Sequence, residues 1–341
     1  MQNQTKHINT ITTLTDQFGR VHDYLRISLT ERCNLRCFYC MPEEGIPLRE
    51  KTEFMSAEET IAIATRFVQM GVKKIRLTGG EPLIKKNFRS ILSELSKLPI
   101  ELAITTNGIL VDEYMEDFKK AGLKNVNVSL DSLQREKFEK ISRRNYFDRI
   151  MSNILLLVRE GFNTKINAVV MRGVNENEVV DFIKWTKDFP VQVRFIEFMP
   201  FDGNNWNWEK KVSLREILDA VRSEFGAEEL ETLPAKNHDT TKNFRIKNFA
   251  GSFGIISSVT NPFCDSCNRI RLTADGRIKN CLFSQTETDL LSALRSNQNI
   301  TPMIVDAILN KKKERGGIDS FQNPESIQKL SATRTMTSIG G

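Results

Sequence analysis

Histidine is scarce in this chain: His7, His22 and His238 are the only three in 341 residues. None sits in the first cysteine loop, so a metal site built there on the usual mixture of Cys and His has little to draw on. Long apolar runs are missing too. The longest tight one, "ILLLV" at 154–158, is far too short to span a bilayer. The N-terminus has no basic start followed by an apolar stretch, so it does not read as a secretory signal. These absences lead to the expectation of a cytoplasmic protein without a membrane partner, in which structural disulfides have no place. There are six cysteines, and none stands alone. Cys33, Cys37 and Cys40 are spaced C-x3-C-x2-C, and Cys264, Cys267 and Cys281 are spaced C-x2-C-x13-C. A buried cysteine is ordinarily a small hydrophobe; two tight triplets with no strays argue for metal ligation instead.

What is present suits a globular core. The chain is 40% hydrophobic and 27% charged, with a formal net charge of +6. A mildly basic protein fits an anionic small molecule as readily as nucleic acid. Three segments resemble one another: "QMGVKKIRLTGG" from 69, "KAGLKNVNVSLD" from 120 and "REGFNTKINAVV" from 159. Each reads as a helix end, a glycine and a short strand. Six strands are expected near 25–29, 75–78, 102–106, 126–130, 165–170 and 192–198. The helices are expected near 57–70, 87–97, 112–121, 134–160 with a break, 176–187 and 213–225. Repeated β-α units predict a parallel sheet with right-handed crossovers, either open and doubly wound or curled into an incomplete barrel.

The strand faces bear on that choice. Arg26 and Ser28 share one face of the first strand, and Arg76 and Thr78 one face of the second. Thr105, the pair Asn127 and Ser129, the pair Lys165 and Asn167, and the pair Gln192 and Arg194 continue the series. A parallel sheet covered on both sides is apolar on both faces. A polar face in nearly every strand predicts a wet cavity, and its basic residues predict an anionic ligand. A solvated sheet face with internal ion pairs is the plainer alternative.

The first triplet follows the first strand, at the end of a parallel sheet where ligands bind. Three thiolates could belong to zinc with a fourth ligand from elsewhere. They could also hold an iron–sulfur cubane with one iron left open. At this point the sequence resembles the radical S-adenosylmethionine (SAM) enzymes. The resemblance rests on "RCNLRCFYC", with Tyr39 before the last cysteine, and on "LTGGEP" at 77–82. It implies an incomplete (βα)6 TIM-type barrel over residues 18–230 and a [4Fe–4S] cluster on Cys33, Cys37 and Cys40. It also implies SAM on the open iron, contacted by Tyr39, Gly80, Ser129 and Met199.

"FCDSCNRIRLTADGRIKNCLF", 263–283, resembles the C-terminal motif of the GTP 3',8-cyclases, as do "TTNG", "NVSLDSL", "RFIEFMPFDGN" and the terminal "GG". That similarity implies a C-terminal domain, 231–341, holding a second [4Fe–4S] cluster on Cys264, Cys267 and Cys281. GTP would then be the substrate, lined by Arg26, Arg76, Thr105, Lys165, Arg194, Arg269, Ile270 and Arg271. Gly340 and Gly341 would reach the active site. The implied reaction is ring closure on GTP by a 5'-deoxyadenosyl radical, the first step of molybdenum cofactor biosynthesis. An electron donor such as flavodoxin or ferredoxin is implied upstream, and cyclic pyranopterin monophosphate synthase downstream. No nucleic-acid partner is implied, and the protein would be a monomer or homodimer. Two other readings stay open: another radical SAM enzyme with an auxiliary cluster, and a two-cluster electron-transfer protein without catalysis. The tracts 228–243 and 311–315 show little pattern.

Overall fold

The computed structural model describes residues 13–42, 44–47, 49–202, 204, 206–235, 237–323 and 334–340. Six strands appear in the expected order: β1 (Tyr24–Ser28), β2 (Lys74–Thr78), β3 (Glu101–Thr106), β4 (Asn125–Ser129), β5 (Asn163–Val170) and β6 (Gln192–Glu197). Each pairs in parallel with the next. The helices between them are α1 (Ala57–Gln69), α2 (Phe88–Leu95), α3 (Val111–Lys120), α4 (Arg135–Ser142), α5 (Phe147–Arg159) and α6 (Val179–Trp185). The break expected within 134–160 falls between α4 and α5, where Arg143 takes a positive φ of 54°. Helix α7 (Leu214–Phe225) starts at a Ser213–Glu216 capping box, which satisfies two otherwise orphaned N–H groups.

The helices bury one face each against the sheet. Ile63, Ala64 and Phe67 of α1 are fully buried, as are Ile27, Ile75 and Leu77 on the strands. Truncating a buried phenylalanine such as Phe67 to Ala costs about 3–5 kcal/mol. This apolar layer leaves the other sheet face to the polar residues.

The C-terminal third does not stand apart from that sheet. Strand β9 (Ser252–Ile256) pairs in parallel with β6, and β10 (Arg269–Leu272) pairs in parallel with β1. Beyond them lie β7 (Leu230–Thr232) and β8 (Lys242–Ile246) on one side, and β11 (Arg277–Lys279) and β12 (Thr288–Asp289) on the other. The result is one open twelve-stranded sheet, ordered β12-β11-β10-β1-β2-β3-β4-β5-β6-β9-β8-β7. It is curled: Arg194 on β6 lies within electrostatic reach of Arg76 on β2 and Arg269 on β10. An open but curled sheet with a polar inner face fits the incomplete barrel that the family resemblance implied. Among the described residues no helix is long and apolar enough to cross a membrane.

Candidate active site

Strand register sets the polar face in rows. Arg271, Arg26 and Arg76 stand abreast on β10, β1 and β2. One step towards the strand N-termini, Tyr24 sits between Arg269 and Lys74. Further round, Thr105, Asn127, Lys165 and Gln192 form a row, and Ser129, Asn167 and Arg194 another. The lumen residues that strand alternation singled out therefore share one cavity wall. Ile270 does not join them. It is fully buried in the apolar core, on the opposite face of β10 from Arg269 and Arg271, because strand side chains alternate.

The cations crowd one another. Burial pushes the Lys165 ammonium down to about 8, helped by the charges of Arg194 and Arg76. Burial likewise pulls Arg194 to about 9 and Arg271 to about 10, with Arg76 and Arg269 respectively adding repulsion. Guanidinium groups keep their proton in proteins, so the downward pull reflects burial together with a repulsion, and a bound polyanion would relieve both. Arg194 does bond Asn167 Oδ1 at 2.6 Å, yet its Nε is buried without a hydrogen-bond partner among the described residues, as are Thr105 Oγ1 and Arg269 Nε. Buried polar groups are ordinarily satisfied, so these atoms mark where a ligand belongs.

Tyr24 is a lumen residue that sequence reading missed. Its hydroxyl accepts from Arg76 Nε at 2.6 Å, and its ring lies 5.5 Å from the Arg269 guanidinium. Burial opposes ionisation of the phenol, but Arg76, Arg26 and Arg269 outweigh it and bring the group down to about 6. Read from sequence, Tyr24 counted as the residue before the strand.

The first cysteine triplet lies in the loop after β1. All three thiols are free and half-buried. Burial raises each one. Glu81 adds to the effect at Cys33, which reaches about 11, and Asp131 adds to it at Cys37. The thiols act electrostatically on one another, so they face a common space. Cys33 Sγ already accepts from Leu35 N at 3.4 Å and from Asn107 Nδ2 at 3.8 Å. Among the described residues no three His, Cys, Asp or Glu side chains converge on a single ion. Three thiolates that each take a different iron need not converge so closely, and the loop fits a cubane.

"LTGGEP" braces that loop. A Cβ on Gly80 would lie 2.3 Å from Arg32 O, and one on Gly79 would lie 2.6 Å from Thr30 O. Only glycine permits this approach. Gly80 N donates to Thr30 O at 2.6 Å and Glu81 N to Arg32 O at 2.8 Å. Glu81 itself is buried and accepts from Thr106 Oγ1, Asn107 N and Leu83 N at 2.7, 2.6 and 3.0 Å. Burial holds its carboxyl up at about 7. Tyr39 donates its hydroxyl to Asp131 Oδ2 at 2.7 Å. Ser129 ends β4 beside Asn167. Met199, just past the C-terminal end of β6, packs on an apolar cluster with Phe201, Val259 and Ile339.

The second triplet borders a cavity of about 70 Å³ that Arg269 and Arg271 also line. Cys264 is raised by burial and by the charges of Cys281 and Cys267, so these three thiols also gather. Gly340 packs against Ser28 and Thr78, the last residues of β1 and β2. A Cβ there would lie 2.6 Å from Thr78 Oγ1 and 2.8 Å from Ser28 Cβ, and Gly340 O accepts from Arg271 NH1 at 3.0 Å. Gly341 lies outside the described residues. Arg334 anchors the segment before Gly340 through a bidentate bond to Asp275, at 3.0 and 2.8 Å, and through Glu287 at 2.8 Å.

Comparison with known proteins agrees with this geometry. The sequence pattern of the Radical SAM superfamily matches residues 27–186, and that of Molybdenum Cofactor Synthesis C matches residues 191–316. The chain is 47% identical over 314 residues to molybdenum cofactor biosynthesis protein 1 of Homo sapiens, covering 90% of this chain and 49% of that protein. It spans about half the length of the first curated relatives it matches. It is 41% identical to a GTP 3',8-cyclase of Peptoclostridium acidaminophilum, covering 96% of this chain and 98% of that protein. Streptococcus suis SuiB bound to S-adenosylmethionine shares the fold, with TM-score 0.58 and 18% identity over 92% of this chain and 71% of that one. By its two matched regions and its near full-length relative, the chain belongs to the radical SAM superfamily and, within it, to the GTP 3',8-cyclase family.

Proposed function

We propose that the chain is a radical SAM cyclase that converts GTP to (8S)-3',8-cyclo-7,8-dihydroguanosine 5'-triphosphate, the first step of molybdenum cofactor biosynthesis. The observation that carries the reading is the crowded cationic lumen lying between two cysteine triplets. Family membership implies a [4Fe–4S] cluster, which Cys33, Cys37 and Cys40 would hold, and SAM. When bound, that pair supplies one-electron cleavage of the sulfonium and so a carbon-centred radical. A second [4Fe–4S] cluster would sit on Cys264, Cys267 and Cys281. On this reading residues 18–230 form the SAM-binding part and 231–341 the second-cluster part.

The chain's own residues bind, orient and exclude water. Arg26, Arg76, Lys165 and Arg194 hold the triphosphate, whose charge offsets their mutual repulsion. Thr105 offers its unpartnered hydroxyl to the same ligand. Arg269 and Arg271 orient the nucleotide between the triplets. Gly80, Ser129, Met199 and Tyr39 shape the SAM pocket. Gly340 positions Arg271 through its carbonyl, and the Gly340–Gly341 tail would serve the step after hydrogen abstraction. An electron donor such as flavodoxin or ferredoxin would reduce the enzyme, and cyclic pyranopterin monophosphate synthase would take the product. The setting would be cytoplasmic, with the protein a monomer or homodimer.

Anaerobic reconstitution with iron and sulfide, followed by mass-spectrometric product analysis with GTP, SAM and a reductant, tests this. Cyclised nucleotide together with 5'-deoxyadenosine is the expected result. Deoxyadenosine without cyclised GTP would move the chain to another radical SAM reaction. Absence of both would leave electron transfer.

A further inference from the structure

The basic run 311–315, patternless in the sequence, closes over the second triplet. Arg20 fixes it by donating to Lys312 O at 2.9 Å, Lys313 O at 2.7 Å and Cys264 O at 2.8 Å. Asp16 holds Arg20 in turn through a 2.6 Å ion pair. At the far end of the run Arg315 N donates to Cys264 Sγ at 3.4 Å. The next residue, Gly316, is wedged against the backbone of Phe283 and Ser284, where a Cβ would lie 2.7 Å from both. The run is thus latched at both ends and carries its first side chain inward.

That side chain is Lys311, 2% exposed. Its ammonium donates to Arg269 O at 2.8 Å and to Cys267 Sγ at 3.6 Å. Among the described residues no carboxylate lies within ion-pair distance of it. A buried cation needs a counter-charge, and the sulfur of Cys267 is the group in place to supply one. A neutral thiol would not; a thiolate bound to iron would.

We propose that Lys311 is the fixed counter-charge of the Cys267 thiolate and sets the reduction potential of the second cluster. This rests on the reading that Cys264, Cys267 and Cys281 carry that cluster. Reduction adds a negative charge to a cluster, and a nearby buried cation favours the reduced form. Hydrogen bonds to ligand sulfurs and local charge are among the levers that tune such potentials. Lys311 therefore holds the second cluster at a less negative potential than the same three cysteines would give alone. Its bond to Arg269 O also ties this lever to the strand that carries Arg269 and Arg271 into the lumen.

The test uses the full chain with Cys33, Cys37 and Cys40 replaced by Ala, so that only the second cluster is read. Lys311→Met, Lys311→Gln and Lys311→Arg are compared with this parent by iron content and by a redox titration followed by electron paramagnetic resonance. Lys311→Met should lower the reduced-to-oxidised ratio at a fixed potential about tenfold, a shift of about 59 mV for one electron. Lys311→Gln, which keeps an N–H donor without the charge, should move in the same direction. Lys311→Arg should stay nearer the parent. Full iron with the parent's potential in Lys311→Met overturns the proposal. Loss of iron from both the Met and Gln variants also overturns it, since the lysine would then be a scaffold. A parent that binds no iron would sink the second-cluster reading and the lysine's role with it; iron with an unmoved potential sinks only the latter.

Discussion

Cys37 and Cys267 each sit among two other cysteines in a buried loop, yet their thiols are driven in opposite directions. At Cys37 burial raises the thiol, and the Asp131 carboxylate and the neighbouring thiols raise it further. At Cys267 burial also raises it, but the Lys311 and Arg269 charges reverse the outcome and hold it below the usual thiol range. Burial is common to both sites; the sign comes from the fixed charges around them. Carboxylates, Glu81 and Asp131, stand behind the first triplet, and cations stand behind the second. Negative surroundings favour giving an electron away, which would suit the proposed reduction of a sulfonium. Positive surroundings would suit the proposed site for an anionic substrate.

The largest test of this contrast separates the triplets. Replacing Cys33, Cys37 and Cys40 by Ala should remove roughly half the iron and all release of 5'-deoxyadenosine. Replacing Cys264, Cys267 and Cys281 should keep the first cluster and the deoxyadenosine chemistry while ending cyclised product. Iron analysis and chromatography read both, and identical losses from the two variants would erase the distinction.

Acid should loosen the second region ahead of the first. His22 lies beneath it, bonded to Asp16 at 3.0 Å. Burial and the Lys311 charge bring its imidazole down to about 4 from 6.5. An opened form takes up a proton at 6.5, while the closed form resists until about 4. The stabilisation is therefore complete above 6.5 and is lost as pH falls towards 4, by up to about 3 kcal/mol. Hydrogen exchange, corrected for intrinsic rates, should show protection at 264–267 falling over that window while protection at 33–40 holds. His22→Gln should flatten the slope. Parallel pH profiles for the two loops would contradict this.

Arg269→Ala and Arg271→Ala should each weaken GTP binding by about 1.5–3 kcal/mol, roughly one to two decades, without disturbing the first cluster. Anaerobic calorimetry measures it, and wild-type affinity in both variants would remove these residues from the site. The smallest effect is in protons. With Lys165 held at about 8, a fraction of the free protein has a neutral amine near that pH. GTP should draw a proton onto it, so binding weakens as pH rises through 8. Calorimetry in buffers of different ionisation enthalpy should report less than about one proton taken up; in Lys165→Met that part of the uptake should vanish.

Much of this was legible in the sequence because it depends on local pattern. Alternation along β1 and β2 exposes Arg26 and Arg76 whatever else the chain does, and the spacing of the cysteines needs no tertiary knowledge. The hidden residues are those whose meaning comes from distant neighbours. Lys311 serves Cys267, 44 residues earlier, and in sequence it is one lysine in a run of three. Asp131 is defined by Tyr39. Glu81 looks like an ordinary acid after a turn until its three donors from the β3 end and the following helix start are seen. Glu81 does sit inside "LTGGEP", and the motif itself was the available signal. Arg334 had none, since Asp275 and Glu287 reach it only once the sheet has assembled.

The strand order also carries a consequence for biosynthesis. Strand β1 is an interior strand, yet its neighbour β10 emerges from the ribosome roughly 240 residues after it. At about 5–20 residues per second this is a delay on the order of ten to fifty seconds. During it the nascent sheet has a bare hydrogen-bonding edge at β1, and β6 waits similarly for β9. Open edges invite pairing with other chains. A polypeptide that stalls before residue 269 would therefore expose β1, with the first cysteine loop already formed beside it.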